Sequence, residues 1–529
     1  MLTHSIYQIY PRSFYDANGD GMGDIQGIIQ KLDYISDLGF ETIWISPFFA
    51  SPQRDFGYDI SDYFSIAPVY GTMRDAEQLI DEVHQRGMKV MFDMVLNHTS
   101  DEHVWFKESA SSRDNTKADW YIWRDKPNNW KSIIGPSGWH YCDSRKQYYY
   151  ASFLPFQPDL NYHNKEVKQQ MWEVCRFWLS KGVDGFRLDI FNCIIKDKEF
   201  RDNPFSLFHM IPSEEYPGGN FQLRKYSVNQ PENFELAKEL RKVADEFSPP
   251  RILLGEVFGT QETISRYLGN NDGLHLIFSF DILFFKFKAS FFKNILQQYE
   301  QNFPHPKIPT VVFSNHDQWR SQGRLNNDLE KAKLLAVLQM TIRAIPVVYY
   351  GEEIGMQNGD IAIRNAKDSL AKPYKWIPQF LVNKLPVAIN RDNCRTPMQW
   401  NNGKHAGFSS AEKIWLPVNA NYTERNVASM QTDKNSLLSV YKELLFLRKN
   451  ENALLLGNMS RLDILDKSIL VYERTHEKER MKIYLNFSRK KKKIPKLATG
   501  ENIRLLIGEV VHEHDRICMG KYAALIVKY

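Results

Sequence analysis

The sequence lacks the features that would assign it to several special classes of protein. It has no long apolar run, and residues 1–5 form neither a basic segment nor an apolar core, so no membrane span or secretory leader is predicted. A net charge of +5 over 529 residues is too dilute for a nucleic-acid-binding surface. No internal repeat or low-complexity linker is present. We therefore expect a globular protein that binds neither membranes nor nucleic acids.

Cysteine is also scarce. The five cysteines are Cys142, Cys175, Cys193, Cys394 and Cys518. Their odd number and wide spacing fit neither a disulfide framework nor a metal site, so we expect reduced thiols and a cytoplasmic protein. The basic run 489–493 is interpreted as a solvated hairpin tip. Aromatic residues are plentiful at 13%, which suits stacking surfaces for flat ligands such as sugars.

Apolar strands alternate with amphipathic helices along most of the chain. Helices are predicted over 25–38, 73–86, 165–181 and 436–448 from their apolar spacing. The predicted strands are 6–10, 42–47, 89–95, 185–190, 251–257, 275–280, 309–314 and 345–351. Strands separated by helices predict a parallel sheet, and eight repeats predict a closed (β/α)8 TIM barrel.

Two regions depart from this rhythm. Residues 99–163 are rich in Trp, Tyr, Asn and Pro and are predicted to form a loop-rich insertion after strand 3. From about residue 450 the pattern changes to short alternating strands, which predicts a C-terminal antiparallel β-sandwich. The predicted domains are therefore a barrel (1–98 and 164–449), an inserted domain (99–163) and a C-terminal domain (450–529).

The strand 185–190 carries an Arg and an Asp two residues apart. Side chains alternate along a strand, so Arg187 and Asp189 point to the same face. A guanidinium there holds the carboxylate ionised and oriented, as a nucleophilic carboxylate requires. Taken alone, the pair is better explained as a structural ion pair.

Other strand ends of the predicted barrel change that interpretation. Active sites of such barrels lie at the carboxyl ends of the strands. The polar residues there are Asp93, Asn97, His98, Arg187, Asp189, Glu256, Asn315, His316 and Asp317. Carboxylates from separate strands, together with histidine donors, predict acid–base chemistry on a polar substrate.

The segment 16–24 has oxygen ligands at alternate positions, with glycines that permit a tight wrap. Asp16, Asn18, Asp20 and Asp24 supply the oxygens, a pattern typical of calcium loops. No Glu follows at the last EF-hand position, so an EF-hand is disfavoured. The alternative is a metal-free turn rich in Asp and Asn.

Short motifs in a fixed order identify a family. They read DMVLNHTS (93–100), QPDLN (157–161), GFRLDI (185–190), LLGEVFG (253–259) and FSNHDQ (313–318). The chain resembles the alpha-amylase family of glycoside hydrolases, in its oligo-1,6-glucosidase and alpha-glucosidase branch. The resemblance extends to FGYDISDY (56–63) and NRDNCRTPMQW (390–400), and so covers essentially the whole chain.

The resemblance implies a retaining, exo-acting alpha-glucosidase that releases terminal glucose from short oligosaccharides through a covalent intermediate. Asp189 would be the nucleophile and Glu256 the acid/base, with carboxyl groups roughly 5 Å apart. Asp317 would be the third carboxylate, which stabilises the transition state and helps keep Glu256 protonated.

The resemblance also assigns residues that bind substrate and metal. Asp59 and Arg395 would clamp the terminal glucose, Tyr58 would stack on it, and His98 and His316 would bind its hydroxyls. Arg187 would orient its neighbours. A structural calcium ion would be held by Asp16, Asn18, Asp20, Asp24 and the carbonyl of Met22. The expected partner is a small oligosaccharide, and the chain is expected to be a monomer or weak homodimer.

Linkage preference stays open between α-1,6 and α-1,4. The β-branched Ile190 after the nucleophile favours α-1,6. The continuation Phe191-Asn192-Cys193 resembles transglucosylating α-1,4 enzymes, and the Pro that often follows the acid in oligo-1,6-glucosidases is absent after Glu256.

Two alternative functions use the same framework. One is a transglucosylase or isomerase that acts on sucrose, maltose or trehalose derivatives. The other, more remote, is a non-catalytic relative associated with a membrane transporter. Such relatives have a transmembrane helix and lack the carboxylates, whereas this sequence shows no such helix and keeps the carboxylates.

Overall fold

The computed structural model describes residues 5–135, 137–210, 218–382, 388–498, 500–513 and 515–529. Within these ranges the largest sheet has eight strands. They are β1 (Ile6–Ile9), β2 (Thr42–Ile45), β3 (Lys89–Val95), β4 (Gly185–Asp189), β5 (Ile252–Gly255), β6 (Leu276–Ile277), β7 (Thr310–Val312) and β8 (Ile345–Tyr349). Their order in the sheet is 6-5-4-3-2-1-8-7. Sequential strands with parallel neighbours are the (β/α)8 arrangement, as predicted.

Strand β4 shows why this order suits the sequence. It is buried along its whole length and pairs in parallel with β3 on one side and β5 on the other. A Cβ on Gly185 would lie 2.2 Å from the carbonyl oxygen of Ile252, so only glycine fits there. The register sets Asp93 beside Arg187, and Gly255 beside Leu188. Glu256 therefore follows directly at the carboxyl end of β5.

Helices follow most of the strands. The longer ones are Met73–Gln85, Lys165–Ser180, Pro231–Asp245, Ala289–Asn302, Leu329–Thr341 and Leu437–Asn450. Thr72 and Asp75 close a capping box at the start of the first. The helix predicted over 25–38 is instead two helices, Ile25–Gln30 and Leu32–Leu38. Lys31 leaves helical geometry between them, and its ammonium lies 4.0 Å from the ring centre of Tyr15.

The chain divides into two compact units. The first unit comprises Met1–Ile43 and Ser279–Tyr529, and the second comprises Trp44–Phe278. The second unit contains the predicted insertion, where a small antiparallel sheet is built from Trp123–Arg124, Trp139–Cys142 and Gln147–Tyr150. The predicted domain limits remain predictions.

The C-terminal part of the first unit consists of antiparallel sheets, as predicted. One sheet contains Asn458–Leu465, Ile469–His476, Glu479–Asn486, Ala524–Lys528 and Asn502–Ile507. The other contains Lys492–Pro495, Arg516–Met519 and Val510–Glu513. The basic run is solvent-exposed in part, and Lys491, Lys492 and Lys493 pair with Glu509, Asp466 and Glu513.

Buried arginines meet the carboxyl end of the helix Leu329–Thr341. Arg448 donates to the carbonyls of Met340 at 2.8 Å and Ala344 at 2.7 Å. Arg474 donates at 2.7 Å to the carbonyls of Thr341 and Gly457. Burial lowers the pKa of Arg448 to about 10 and that of Arg474 to about 9, so both stay cationic at neutral pH and complement the negative end of the helix.

Two further expectations concern membranes and disulfides. Among the described residues, no helix combines the length and apolar character needed to cross a bilayer. All five cysteines are free thiols, and Cys175, Cys193 and Cys394 are buried.

Candidate active site

Arg187 is the centre of the polar cluster in the second unit. Its Nη1 donates at 2.7 Å to Asp93 Oδ1 and at 2.7 Å to Asp189 Oδ1. Its Nη2 donates to Glu256 Oε2. The Arg187 side chain is 2% exposed and those of Asp189 and Glu256 are each 11% exposed. The predicted pairing of Arg187 with Asp189 is confirmed, and the same guanidinium binds Glu256 as well.

Asp93 completes this cluster from β3. Trp44 Nε1 and the Tyr58 hydroxyl donate to its Oδ2 at 3.2 and 3.1 Å. Burial raises the pKa of Asp93 to about 7; the charge of Arg187 opposes this rise and the charge of Asp189 adds to it. Three carboxyl groups thus share one guanidinium, and Asp93 is the one that is held away from solvent on β3.

Removal of the Arg187 guanidinium should strongly destabilise the fold. An Arg187→Leu variant is expected to lose about 3–5 kcal/mol of unfolding free energy, because buried carboxylates are left without a counter-charge. Arg187→Lys should recover only part of this, since one ammonium cannot reproduce the planar fork. Denaturant unfolding measures both.

The matched control is Arg176→Lys. Arg176 pairs with Glu246 at 2.7 Å on the surface, where its side chain is 34% exposed, so the expected loss is below about 1 kcal/mol. Equal losses at the two positions would contradict the central role of Arg187.

His98 and the QPDLN motif meet at the end of β3. Asp159 is fully buried, forms an ion pair with Lys196 and accepts a hydrogen bond from the Ser152 amide at 2.9 Å. Lys196 Nζ donates at 2.7 Å to Asn97 Oδ1, which steadies the residue before His98. The QPDLN motif therefore supports the segment that contains His98 through buried contacts within the second unit.

Both ring nitrogens of His98 are engaged within the second unit. Its Nε2 lies 3.2 Å from the carbonyl oxygen of Tyr58 and its Nδ1 lies 3.2 Å from Asn97 Nδ2. Because a carbonyl only accepts, Nε2 carries the proton. Burial lowers the pKa of His98, so the ring is neutral.

Asp59 lies in the turn that follows Ser51. Its Oδ1 accepts from the Ser51 hydroxyl at 2.9 Å and the Asp55 amide at 3.0 Å, and its Oδ2 accepts from the Arg54 amide at 3.0 Å. The side chain is fully buried. Burial raises the pKa of Asp59 to about 6 although these hydrogen bonds oppose the rise.

Asp317 is the carboxylate of the first unit. Its Oδ1 accepts from Arg391 Nη1 at 3.1 Å and Arg395 Nη2 at 2.9 Å, and His316 Nε2 lies 3.0 Å from its Oδ2. Burial opposes ionisation, but His316 and the two guanidiniums outweigh it and hold the pKa of Asp317 well below its usual range. Asp317 is therefore a carboxylate at neutral pH, with 30% of its side chain exposed.

Gln8 fixes the ring of His316. Gln8 Nε2 lies 2.8 Å from His316 Nδ1, so the amide donates to Nδ1 while Nε2 keeps the proton that faces Asp317. Arg395 is fully buried, and its Nε donates at 2.7 Å to the carbonyl of His316. The structure therefore brings Asp317, His316 and Arg395 together, as it does Tyr58, Arg187, Asp189 and Glu256 in the other unit.

The predicted calcium loop is closed by its own hydrogen bonds. Asp16 accepts from the amides of Gly19 and Gly21 at 2.8 Å, and Asp24 accepts from Gly27 at 2.6 Å. Asp20 accepts from the Met22 amide at 2.8 Å, and Asn18 from the Asp20 amide at 2.9 Å. Within the described ranges, no three or more His, Cys, Asp and Glu side chains are grouped to hold a metal. The predicted metal ligands of this loop are all oxygen atoms, which are the ligands that calcium prefers.

Several residues of these clusters escaped the sequence interpretation. Gln8 is a polar residue within the apolar strand Ile6–Ile9, and that interruption was an available signal. Arg391 lies in a motif from which only Arg395 was chosen. It bridges Asp317 to Asp368, to which its Nη2 donates at 2.7 Å. No sequence pattern could have identified Asp368 as part of this cluster, because its partner Arg391 is 23 residues away in an irregular loop.

The geometry agrees with comparisons to known proteins. The model of the alpha-amylase catalytic domain matches residues 8–457. A probable alpha-glucosidase of Rhizobium meliloti is 41% identical, covering 91% of this chain and 88% of the relative. An oligo-1,6-glucosidase of Parageobacillus thermoglucosidasius is 38% identical, covering 92% and 90%.

Solved structures agree as well. The alpha-glucosyl transfer enzyme XgtA has a TM-score of 0.90 at 35% identity, covering 99% of this chain and 98% of that one. The trehalulose synthase MutB of Pseudomonas mesoacidophila has a TM-score of 0.88 at 30% identity, with 99% and 98% covered. Together with the carboxylate cluster at the barrel strand ends, these matches show that the chain belongs to the alpha-amylase family and is a glycoside hydrolase.

Proposed function

We propose that the protein is a retaining, exo-acting alpha-glucosidase that releases terminal glucose from short oligosaccharides. The observation that carries this proposal is the shared contact of Asp189 and Glu256 with Arg187. Two carboxyl groups held on one guanidinium support a double displacement, for which the two groups should lie roughly 5 Å apart. The names of the sequence relatives support glucoside hydrolysis.

In the first step, Asp189 attacks the anomeric carbon and forms a glucosyl ester while the bond to the leaving oxygen breaks. Glu256 gives its proton to that oxygen. In the second step, Glu256 takes a proton from water, the water oxygen attacks the same carbon, and Asp189 leaves as a carboxylate. Two inversions give net retention. Arg187 favours the ionised form of Asp189 that the attack requires. The same guanidinium also favours ionised Glu256, so Glu256 acts as the acid only once its contact with Arg187 is released.

The remaining roles follow the family pattern. Asp317 stabilises the transition state, Tyr58 stacks on the ring, and Asp59 and Arg395 bind the terminal glucose. His98 and His316 bind sugar hydroxyls through Nε2, which must share or give up its present contact with the Tyr58 carbonyl in His98 and with Asp317 in His316. Asp59 Oδ2 accepts one amide hydrogen bond and has a lone pair for a hydroxyl donor.

Substrate binding should weaken in acid through Asp59. Its carboxylate is present above a pH of about 6 and gains a proton as the pH falls through that value, so KM for an aryl alpha-glucoside should rise by up to about tenfold per pH unit below 6. In Asp59→Asn this rise should vanish, with a higher KM throughout. The control Asp62→Asn changes a partly buried carboxylate that accepts from the Phe64 amide at 2.9 Å, and it should keep the rise in KM. If KM of Asp59→Asn rose with falling pH in the same way as KM of the wild type, Asp59 would not be the group that binds substrate.

The second candidate function is transfer of glucose to a sugar or to another position of the same substrate. It is favoured by the structural neighbours, which are named for alpha-glucosyl transfer and trehalulose synthesis. It uses the same glucosyl ester and differs only in the acceptor.

A product time course tests the proposal. Purified protein is given maltose, isomaltose, sucrose and trehalose separately, and the products are separated by chromatography. We expect glucose from maltose, isomaltose or both, and isomaltose alone would assign α-1,6 preference. New oligosaccharides or isomers would establish the transferase instead, and no turnover of any of the four would contradict both functions.

We also propose that the loop 16–24 binds calcium and stabilises the fold without taking part in the reaction. Calcium at about 100 times its Kd should add about 2.7 kcal/mol of stability. We therefore expect a higher Tm in calcium than in EDTA for the wild type. Asp20→Ala should abolish the difference. A calcium-independent Tm in the wild type would show that the loop is a metal-free turn.

A further inference from the structure

The segments that follow the two catalytic carboxylates are bonded to each other. The amide of Phe191 donates at 2.8 Å to the carbonyl of Glu256, and the amide of Ile190 lies 3.2 Å from Glu256 Oε2. Asn192 Nδ2 donates at 2.9 Å to the carbonyl of Phe258. The chain just after Asp189 is thus attached to the acid side chain and to the backbone on either side of Val257.

A second amide reinforces this attachment. Asn229 Nδ2 donates at 3.0 Å to the same Phe258 carbonyl, and its Oδ1 accepts from Asn192 Nδ2 at 3.1 Å and from the Tyr267 hydroxyl at 2.8 Å. Asn192 and Tyr267 are fully buried. The Phe258 carbonyl therefore accepts from two side-chain amides, and the Tyr267 hydroxyl orients the amide of Asn229 by donating to its Oδ1.

Backbone strain at Ile190 shows that this contact is imposed by the fold. Ile190 has φ 37 and ψ 45, a left-handed conformation that a β-branched residue strongly disfavours. Its side chain is 3% exposed and packs with Cys193 and Val228. The unusual backbone turns the Ile190 amide towards the Glu256 carboxyl group, and such strain persists only where the surroundings hold it.

We propose that Asn192 and Asn229 are positioning residues that set the direction in which Glu256 delivers its proton. This inference rests on the proposed function, in which Glu256 is the acid/base. The two amides act on Glu256 through the backbone that they bind. They hold the Phe258 carbonyl, and the Glu256–Phe258 segment then keeps the carboxyl group aimed at the glycosidic oxygen.

A positioning role of this kind has a distinctive kinetic consequence. A sugar leaves as an alcohol only when its oxygen is protonated, so kcat/KM for a disaccharide depends fully on the aim of Glu256. A 4-nitrophenolate leaves with little protonation, so kcat/KM for 4-nitrophenyl alpha-glucoside depends on it weakly. A variant that is less stable but keeps the Glu256 carboxyl group correctly aimed would lower kcat/KM for both substrates by the same factor.

The experiment compares three Asn→Asp variants, which keep the size of the side chain; Asn192 and Asn203 are buried and Asn229 is partly buried. Asn229→Asp and Asn192→Asp turn a carboxylate oxygen towards the Phe258 carbonyl in place of the amide donor. Asp tolerates the left-handed φ of 55 at position 229. The control Asn203→Asp replaces a buried amide that donates at 3.0 Å to Ser227 and has no bond to the Glu256–Phe258 segment among the described contacts.

We expect kcat/KM for the better of maltose and isomaltose to fall by about 10²-fold in Asn229→Asp and Asn192→Asp, the scale of a 1 Å misplacement of a catalytic group. The value for 4-nitrophenyl alpha-glucoside should fall by less than about fivefold. Asn203→Asp should keep the ratio of the two values. If the Asp variants do not fold, Tyr267→Phe should still shift the ratio in the same direction.

Equal losses on both substrates, or an unchanged ratio in all variants including Tyr267→Phe, would overturn the inference. Glu256→Gln separates this failure from failure of the proposed function. If Glu256→Gln shifts the ratio strongly and the Asn variants do not, only the positioning role fails. If Glu256→Gln leaves the ratio unchanged, Glu256 is not the acid and both proposals fail.

Discussion

Asp189→Ala is expected to lower the hydrolysis of 4-nitrophenyl alpha-glucoside by about 10⁴-fold or more, the scale on which a removed nucleophile acts. The protein should stay folded, because the methyl group leaves Arg187 paired with Asp93. Sodium azide should restore part of the activity by entering the space of the lost carboxylate. Azide then attacks the anomeric carbon once, so the product should be β-glucosyl azide.

The matched variant is Asp197→Ala, which removes a buried carboxylate of the same unit whose partner is Arg201. It should retain turnover within a factor of a few. Unchanged turnover in Asp189→Ala, or α-glucosyl azide from it, would show that Asp189 is not the nucleophile.

Glu256→Ala should have the second largest effect, and its pattern should differ. Hydrolysis of a disaccharide should fall by about 10²–10⁴-fold, the usual contribution of general acid–base catalysis. Formation of the glucosyl ester from an aryl glucoside should suffer far less, so the ester should accumulate and KM should fall. Azide attacks that ester without help from a base, and the product should be α-glucosyl azide.

The configuration of the two azides assigns the two carboxylates independently of rates, and proton NMR measures it. Beta product from Glu256→Ala would exchange the assigned roles. Glucosyl azide from neither variant would argue against a covalent intermediate.

The sequence predicted the parts of the fold that depend on local periodicity. The strand from Gly185 to Asp189 was expected because its side chains alternate, and the close approach of Ile252 explains why it begins with glycine. The same periodicity predicted the bond between Arg187 and Asp189. The break at Lys31 was missed because both halves of the predicted helix have the same apolar spacing.

Local periodicity could not predict contacts between residues that are far apart in the sequence. Gln8 and His316 are 308 residues apart, and the pattern around either one does not name the other. The bond from Arg187 to Glu256 depends on the register of β4 and β5, which only the folded sheet defines. The raised pKa of Asp59 depends likewise on burial, and the sequence motif carries no information about exposure.

Arg474 limits how the chain can be divided by engineering. The Thr341 carbonyl at the end of a barrel helix is bonded by an arginine that comes 133 residues later. A chain that stops before Arg474 would leave that buried oxygen without this donor, so we expect the C-terminal sheets and this helix to unfold together. Recombination with relatives should therefore exchange the helix and the sheets together, rather than treat residues after 450 as an interchangeable module.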